Sequence, residues 1–204
     1  MKQKANIPPV ASVEVKPSCI GFLLLDDYSM IALASAVEPL RMANQLSGKE
    51  LYNWVLISAS GNNVKASDGM KVAVDYAIEN APHVQTLIVA GGLNITKNYG
   101  KPEIQYLKKL AKQKVVISGI CTGTYVLADA GLLDGYDCSI HWEYLAPLQE
   151  AFPKVNCNRR LFTHDGDRLT CSGGGAPMDM ILYIITLQYG RGLSAAISDM
   201  FVCD

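Results

Sequence analysis

Cys121 is the side chain in this sequence whose surroundings best suit chemistry. It follows a short apolar run and precedes a segment of helical spacing, with Gly119 two residues before it and Gly123 two residues after it. This G-x-nucleophile-x-G spacing predicts a sharp strand-to-helix turn with cysteine in the nucleophile's place. Helix N-terminal N–H groups and the helix dipole stabilise a thiolate. We therefore predict an exposed Cys121 thiol with a lowered pKa; the alternative is a buried cysteine that acts as a small apolar side chain.

Two further features could bring polar groups to Cys121. Gly91 and Gly92 directly follow an apolar run, so their N–H groups could approach a ligand or an oxyanion, although paired glycines also occur in ordinary turns. His141 follows Cys121 by twenty positions and could act as a base or as a structural hydrogen-bonding residue. The predicted ligand-binding residues are Cys121, His141, Gly91, Gly92, Thr122 and Trp142.

Other candidate sites carry weaker signals. Gly173, Gly174 and Gly175 precede a helical segment and could hold an anion, but no Gly-Lys-Ser/Thr follows them. No His, Cys or carboxylate residues have metal-ligand spacing, so we predict neither a metal site nor a cofactor. Five aromatic residues near predicted strand ends could form a cage around a cation, unless they are separate core or surface side chains. These are Tyr28, Tyr99, Tyr136, Trp142 and Tyr144.

Strands and helices alternate along the chain, which predicts the frame that positions these residues. Apolar runs predict buried strands over Cys19–Leu25, Trp54–Ser58, Thr86–Ala90 and Lys114–Ile120. Helical spacing covers Met30–Leu46, Pro102–Gln113, Thr122–Ala130, Glu143–Ala151, Met178–Tyr189 and Leu193–Phe201, and hairpins are predicted over Val64–Val74 and Leu161–Cys171. The fold class is therefore α/β, with a mostly parallel, flavodoxin-like sheet between helices on both faces and ligands at the carboxyl ends of the strands.

Composition limits the classes of function. The 204 residues are 50% hydrophobic and fit one domain, and 18 Lys and Arg against 19 Asp and Glu leave no basic surface for nucleic acid. No apolar run reaches the length of about 18 residues that a membrane span needs. Residues 1–18 lack the apolar core of a signal peptide, so we predict a disordered tail and a cytoplasmic location. Six cysteines without a CxxC pair predict reduced thiols.

Several separated motifs resemble one known family. They are LLLDDYSMIALASAVEPLRMAN near the N-terminus, GICTGTYVLADAGLLDG at Gly119–Gly135, SIHW at Ser139–Trp142, AFP at Ala151–Pro153 and LTCSGGGAPMDMIL at Leu169–Leu182. Together they resemble the class I glutamine amidotransferase-like (ThiJ/PfpI) domain, in the version that begins AraC-type transcriptional regulators. The resemblance implies that residues 19–204 sense an effector and form a homodimer. It also implies that DNA is bound by a C-terminal helix-turn-helix domain absent from this chain.

The resemblance also indicates which functions to weigh. It implies a small nitrogenous effector, an amino acid or a quaternary amine, that binds at Cys121. We expect no membrane partner. Enzymes of the superfamily usually carry a carboxylate after the first strand, whereas Met30–Ala34 is apolar and Glu38 lies further along the helix. We therefore expect a non-catalytic sensor. The alternatives are an enzyme that uses Cys121 and His141 on an amide or aldehyde, and a thiol redox sensor.

Two expectations concern helix faces. Glu143 could orient His141, but residues two positions apart diverge on a helix. The last predicted helix carries an apolar stripe that either forms a dimer interface or packs against its own sheet. Its members are Leu193, Ala196, Ile197, Met200 and Phe201.

Overall fold

The computed structural model describes residues 16–201. Most of the predicted tail and Cys203 lie outside this range, and Ser18 already belongs to the first strand. The strands are β1 (Ser18–Leu24), β2 (Tyr52–Ser58), β3 (Val64–Lys65), β4 (Lys71–Val72), β5 (Tyr76–Ala77), β6 (Thr86–Ala90), β7 (Val116–Ile120), β8 (Asp137–Ser139), β9 (Asn156–Asn158), β10 (Phe162–Asp165) and β11 (Arg168–Cys171). The helices are α1 (Met30–Ser47), α2 (Lys101–Lys112), α3 (Gly123–Asp129), α4 (Leu145–Ala151), α5 (Ala176–Tyr189) and α6 (Arg191–Met200).

A seven-stranded sheet forms the centre of the molecule, in the order β10-β11-β7-β6-β1-β2-β5. Every neighbouring pair is parallel except the β10–β11 hairpin. The central strands are short apolar runs because both of their faces are covered. One buried cluster joins the sheet to α1, α5 and α6, and the other joins it to α2, α3 and α4. The predicted parallel sheet between two helical layers is confirmed.

Strand order places a crevice beside β1. The chain passes from β1 to β2 on one side, and β6 then returns to the other side of β1. The loops that follow β1 and β6 diverge at such a reversal, and ligands of α/β sheets bind there, at the carboxyl ends of the strands. The turn after β7 and the glycine loop after β11 lie at the same edge of the sheet, because β7 and β11 continue it in parallel.

Short elements depart from the sequence prediction. The hairpin predicted over Val64–Val74 exists as β3–β4, but it forms its own antiparallel sheet rather than extending the main one. The main sheet is instead extended by β5, a two-residue strand. A parallel pair, β8–β9, was also not predicted. Strands of two or three residues, partly polar, show too little periodicity to be distinguished from loops.

The apolar stripe of α6 is used within the chain. Ile197 is fully buried, and Leu193 and Phe201 pack against the cluster formed with α1 and α5, which leaves Met200 54% exposed. Leu193, Ile197 and Phe201 thus pack inside the domain, as the second alternative expected, whereas Ala196 and Met200 remain exposed. Among the described residues, no helix is both long and apolar enough to cross a membrane.

Candidate functional site

The turn between β7 and α3 has the geometry that the glycine spacing predicts. Cys121 lies in the left-handed region at φ 58°, which side chains other than glycine rarely adopt. A Cβ on Gly119 would lie 2.7 Å from the backbone nitrogen of Thr124, and a Cβ on Gly123 would lie 2.1 Å from the carbonyl oxygen of Val89. Both distances are far below van der Waals contact, so glycine is required on each side of Cys121.

The Cys121 thiol, in contrast, is not an exposed thiolate. Only 6% of the residue is exposed, and burial raises the pKa of its thiol to about 11. A hydrogen bond from the Thr122 backbone lowers this pKa in part, and the nearby Glu143 carboxylate raises it. Gly173 covers the cysteine closely, since a Cβ there would lie 3.1 Å from Sγ. The predicted lowering of the pKa is therefore wrong, because desolvation outweighs the helix terminus.

The two glycines after β6 serve different purposes. The N–H of Gly91 donates to the Ile120 carbonyl at 3.3 Å, and the Gly91 carbonyl accepts from the Ser29 N–H at 3.0 Å. These bonds join the loops, contrary to the expectation that both glycines offer N–H groups to a ligand. The Gly92 carbonyl accepts from the Thr122 hydroxyl at 2.8 Å, whereas its N–H has no hydrogen-bond partner among residues 16–201. Gly92 is thus the glycine that can donate to a ligand.

His141 and Glu143 come together beside the cysteine. The backbone N–H of His141 donates to the Cys121 carbonyl at 3.3 Å, and Nδ1 of His141 lies 3.8 Å from Oε2 of Glu143. The expectation that these two side chains diverge is wrong. It assumed a helix from Glu143, but α4 begins at Leu145, and a 3-10 turn over residues 142–144 precedes it.

A pocket of about 140 Å³ opens at this point. Cys121, Thr122, Gly92 and His141 line it. Gly91 is not among the lining residues. The structure thus brings four of the six predicted residues to one pocket. The remaining lining residues are Ser29, Ser67, Leu93, Glu143 and Tyr144.

Trp142 belongs to a neighbouring pocket rather than to this one. Trp142 is 75% exposed, and it lines a separate space of about 370 Å³. The other residues of this second pocket are Ile140, Leu145, Asn158, Arg159, Arg160 and Ser172.

The predicted aromatic cage does not form. Tyr28 is fully buried, and Tyr99 donates to Asp129 at a third, distant surface. The ring of Tyr136 stacks against the buried Arg168, 5.1 Å from the guanidinium carbon. Of the five aromatic residues, Tyr144 alone lines the Cys121 pocket.

Two serines in the pocket were not predicted. Ser29 caps α1 by accepting the Ala32 N–H at 3.4 Å, and a serine before a helical segment is a signal that could have been used. Ser67 belongs to the β3–β4 hairpin, and its N–H donates to the Tyr28 carbonyl at 2.9 Å. No local signal places Ser67 there, because a long-range contact holds the hairpin over the site.

Carboxylates around the pocket differ from the superfamily enzyme pattern. The first turn of α1 carries no acidic residue, and the buried Ala32 occupies it instead. Glu143, from a different segment, is the one carboxylate among the lining residues. Among residues 16–201, no three His, Cys, Asp or Glu side chains lie close enough together to hold a metal ion.

The site and the fold together define a class: a flavodoxin-like α/β domain with a small pocket around a cysteine in a left-handed strand-to-helix turn. Residues 20–187 match the model of the DJ-1/PfpI family, and the chain belongs to this family. The resemblance recognised in the motifs is thereby confirmed.

Comparison with individual proteins points to regulators. The chain is 53% identical to the HTH-type transcriptional regulator GbdR of Pseudomonas aeruginosa over 195 residues, which are 96% of this chain and 53% of that protein. It is 40% identical to the regulator CdhR of the same species over 181 residues, 89% of this chain and 54% of that protein. The chain thus spans about half the length of these relatives. A crystal structure of an AraC family transcriptional regulator from Pseudomonas putida superposes with a TM-score of 0.83 at 28% identity, covering 91% of this chain and 100% of that one.

Proposed function

We propose that this chain is the effector-sensing domain of a transcriptional regulator and that the Cys121 pocket binds a small nitrogenous metabolite, an amino acid or a quaternary amine. The observation that carries the proposal is the pocket itself. Its lining combines a single carboxylate and several hydroxyls with Gly92 and a neutral thiol, at the crevice of the sheet. Its volume of about 140 Å³ is below the range of about 300–1,000 Å³ typical of drug-sized ligands. A metabolite of a few non-hydrogen atoms fits this space.

The lining residues suit two opposite charges. Glu143 and Tyr144 both line the pocket, and a carboxylate and an aromatic ring attract an ammonium or a quaternary amine. Ser29 lies at the N-terminus of α1, close to Gly92, whose N–H has no hydrogen-bond partner within the described part of the chain. Helix N-termini and free backbone N–H groups bind carboxylates. A ligand that carries both a cationic nitrogen and a carboxylate would match both sets of residues.

The proposal takes the domain as non-catalytic. With a pKa of about 11, about one Cys121 thiol in 10⁴ is ionised at pH 7. A nucleophilic cysteine needs its thiolate form, which a basic or positively charged neighbour normally provides. Here Glu143 raises the pKa instead, and the superfamily carboxylate of α1 is replaced by apolar residues. DNA binding and dimerisation of the regulator are part of the same proposal, with DNA bound outside residues 16–201.

Thermal stabilisation by a panel of amino acids and quaternary amines tests the proposal. Ligands that bind only the folded chain raise its melting temperature. We expect one class of panel member to stabilise the wild type. Glu143→Gln should lower the affinity for that ligand by about tenfold or more, because the substitution removes the negative charge that attracts the cation. Glu150→Gln is the matched control, because Glu150 is exposed on α4 and lines neither the Cys121 pocket nor the Trp142 pocket. Equal loss in both variants, or no stabilisation by any panel member, would contradict the proposal.

A further inference from the structure

Two cysteines outside the pocket lie side by side. Cys138 in β8 and Cys157 in β9 are direct register partners of the short parallel sheet. Side chains of register partners point to the same face, and neighbouring strands lie about 4.8 Å apart. That spacing falls within the Cα separation of about 4.4–6.8 Å over which disulfides form. The two side chains therefore lie next to each other across β8 and β9, and each thiol shifts the pKa of the other.

The two thiols of this pair differ in character. Cys138 is fully buried, whereas Cys157 is only partly buried and can be reached from solvent. The hydrogen bond from the Cys138 thiol lowers the pKa of Cys157, and a bond from the Asn158 backbone acts in the same direction. The same contact raises the pKa of Cys138, and burial raises it further. Cys157 thus has the properties of an attacking thiol, and Cys138 those of the thiol that resolves the product.

The other described cysteines lack this arrangement. Burial raises the pKa of Cys19, of Cys121 and of Cys171. Cys121 and Cys171 are neighbours, but the Cys171 sulfur already accepts hydrogen bonds from the backbones of Gly173 and Cys121. Oxidation of cysteine requires thiolate character and access.

We propose that Cys138 and Cys157 form a reversible disulfide when the domain meets a hydroperoxide. In the first step the Cys157 thiolate attacks one oxygen of hydrogen peroxide, and the O–O bond breaks. Cys157 becomes a sulfenic acid, and the hydroxide that leaves takes up the proton released by the Cys157 thiol and becomes water. In the second step the Cys138 sulfur attacks the Cys157 sulfur and the S–O bond breaks. The Cys138 proton leaves with that hydroxyl as water. Two thiols and one peroxide thus give one disulfide and two waters.

The disulfide would connect the segments that line both pockets. Ser139 in β8 leads within two residues to His141, and Asn158 in β9 leads directly to Arg159. The closed loop between positions 138 and 157 contains all of α4. Closing such a loop restricts the unfolded chain, and we expect the oxidised domain to melt about 5 °C higher than the reduced one. This inference is independent of the proposed ligand.

Peptide mapping of the peroxide-treated 204-residue chain tests the proposal. After alkylation under denaturing conditions, we expect two fewer modified thiols and one cross-link, which dithiothreitol reverses. Trypsin leaves Cys157 in residues 155–159 but keeps Cys121 and Cys138 together in residues 115–154. A second digestion before aspartate separates these two, because Asp129, Asp134 and Asp137 lie between them. A link from Cys157 to Cys121, or oxidation of Cys157 no faster than that of Cys19, would overturn the proposal.

Three variants sharpen the result. Cys157→Ala should abolish the cross-link and leave Cys138 reduced, whereas Cys138→Ala should leave Cys157 accumulating as sulfenic or sulfinic acid. Cys121→Ala is the matched control and should give the cross-link at the wild-type rate. A tenfold or greater loss of cross-link in Cys121→Ala would show that Cys121 is the reacting thiol and would overturn the assignment. The mapping of the wild-type chain needs none of these variants to fold.

Discussion

At the scale of single residues, Cys121 shows how two electrostatic effects compete. Its place before α3 favours the thiolate, but the helix has only seven residues and the sulfur is covered by the Gly173 loop. Helix termini contribute about 0.3–1 kcal/mol for each charge near the surface, whereas one pKa unit already corresponds to about 1.4 kcal/mol. The free-energy cost of removing the thiolate from water is therefore larger than the stabilisation by the helix terminus.

This balance predicts the order in which the cysteines react with iodoacetamide. We expect Cys157 to react faster than Cys121 at pH 7, since the pKa of Cys157 is lowered while that of Cys121 is raised to about 11. Because a raised thiol pKa keeps the thiol protonated, alkylation of Cys121 should accelerate about tenfold per pH unit up to pH 11. Quantitative mass spectrometry of each peptide measures both rates. Complete alkylation of Cys121 at pH 7 before Cys157 has reacted would contradict this prediction.

The glycines of the turn provide a second prediction at this scale. Gly123→Ala should destabilise the fold by about 3 kcal/mol or more, because the new Cβ would lie 2.1 Å from the Val89 carbonyl oxygen. Gly192→Ala, in the exposed part of α6, meets no atom within 4 Å and should stabilise by up to about 1 kcal/mol. Urea denaturation of the two variants checks this. Similar unfolding free energies for both would show that the turn tolerates a side chain.

At the scale of elements, predictability followed the length and the apolar character of each segment. The buried strands β1, β6 and β7 could be predicted from the sequence, because a short continuous apolar run is typical of a strand that is buried on both faces. The β8–β9 pair could not be predicted, because strands of three residues with polar neighbours are too short to show a hydrophobic periodicity. The predicted start of α4 was wrong by two residues. The predicted divergence of the His141 and Glu143 side chains was therefore wrong as well.

The stripe of α6 gives an element-scale prediction. Ile197→Ala should destabilise the domain by about 2 kcal/mol or more, since Ile197 is fully buried against α1 and α5. Met200→Ala should change stability by less than about 0.5 kcal/mol, because Met200 is 54% exposed. Thermal and urea unfolding compare the two variants. A larger effect at Met200 than at Ile197 would mean that the stripe faces a partner.

The candidate site was predicted in its local features and missed in its long-range ones. The turn at Cys121 follows from sterics between residues a few positions apart, so the spacing of Gly119 and Gly123 was sufficient. Burial of the thiol depends on Gly173, about fifty positions later, and Ser67 reaches the pocket through the hairpin. Such contacts depend on the packing of distant segments, which leaves no local pattern.

At the scale of the whole molecule, the charge balance predicts how the chain meets DNA. With a net charge of −1 it can neutralise few phosphates, so we expect no sequence-selective binding by these 204 residues alone. Selection from a random duplex library at low salt measures this directly. An enriched motif, with affinity that falls steeply with salt, would place DNA recognition inside this domain.

As a sensor, the Cys121 pocket should bind its ligand without converting it. Calorimetric titration of the panel member that stabilises the chain best, followed by NMR of that ligand after prolonged incubation, tests this directly in the wild type and in Cys121→Ala. We expect one site per chain, an affinity changed only modestly by Cys121→Ala, and full recovery of the ligand, because a neutral buried thiol contacts the ligand without attacking it. If the wild type converts the ligand and Cys121→Ala does not, the domain is an enzyme rather than a non-catalytic sensor.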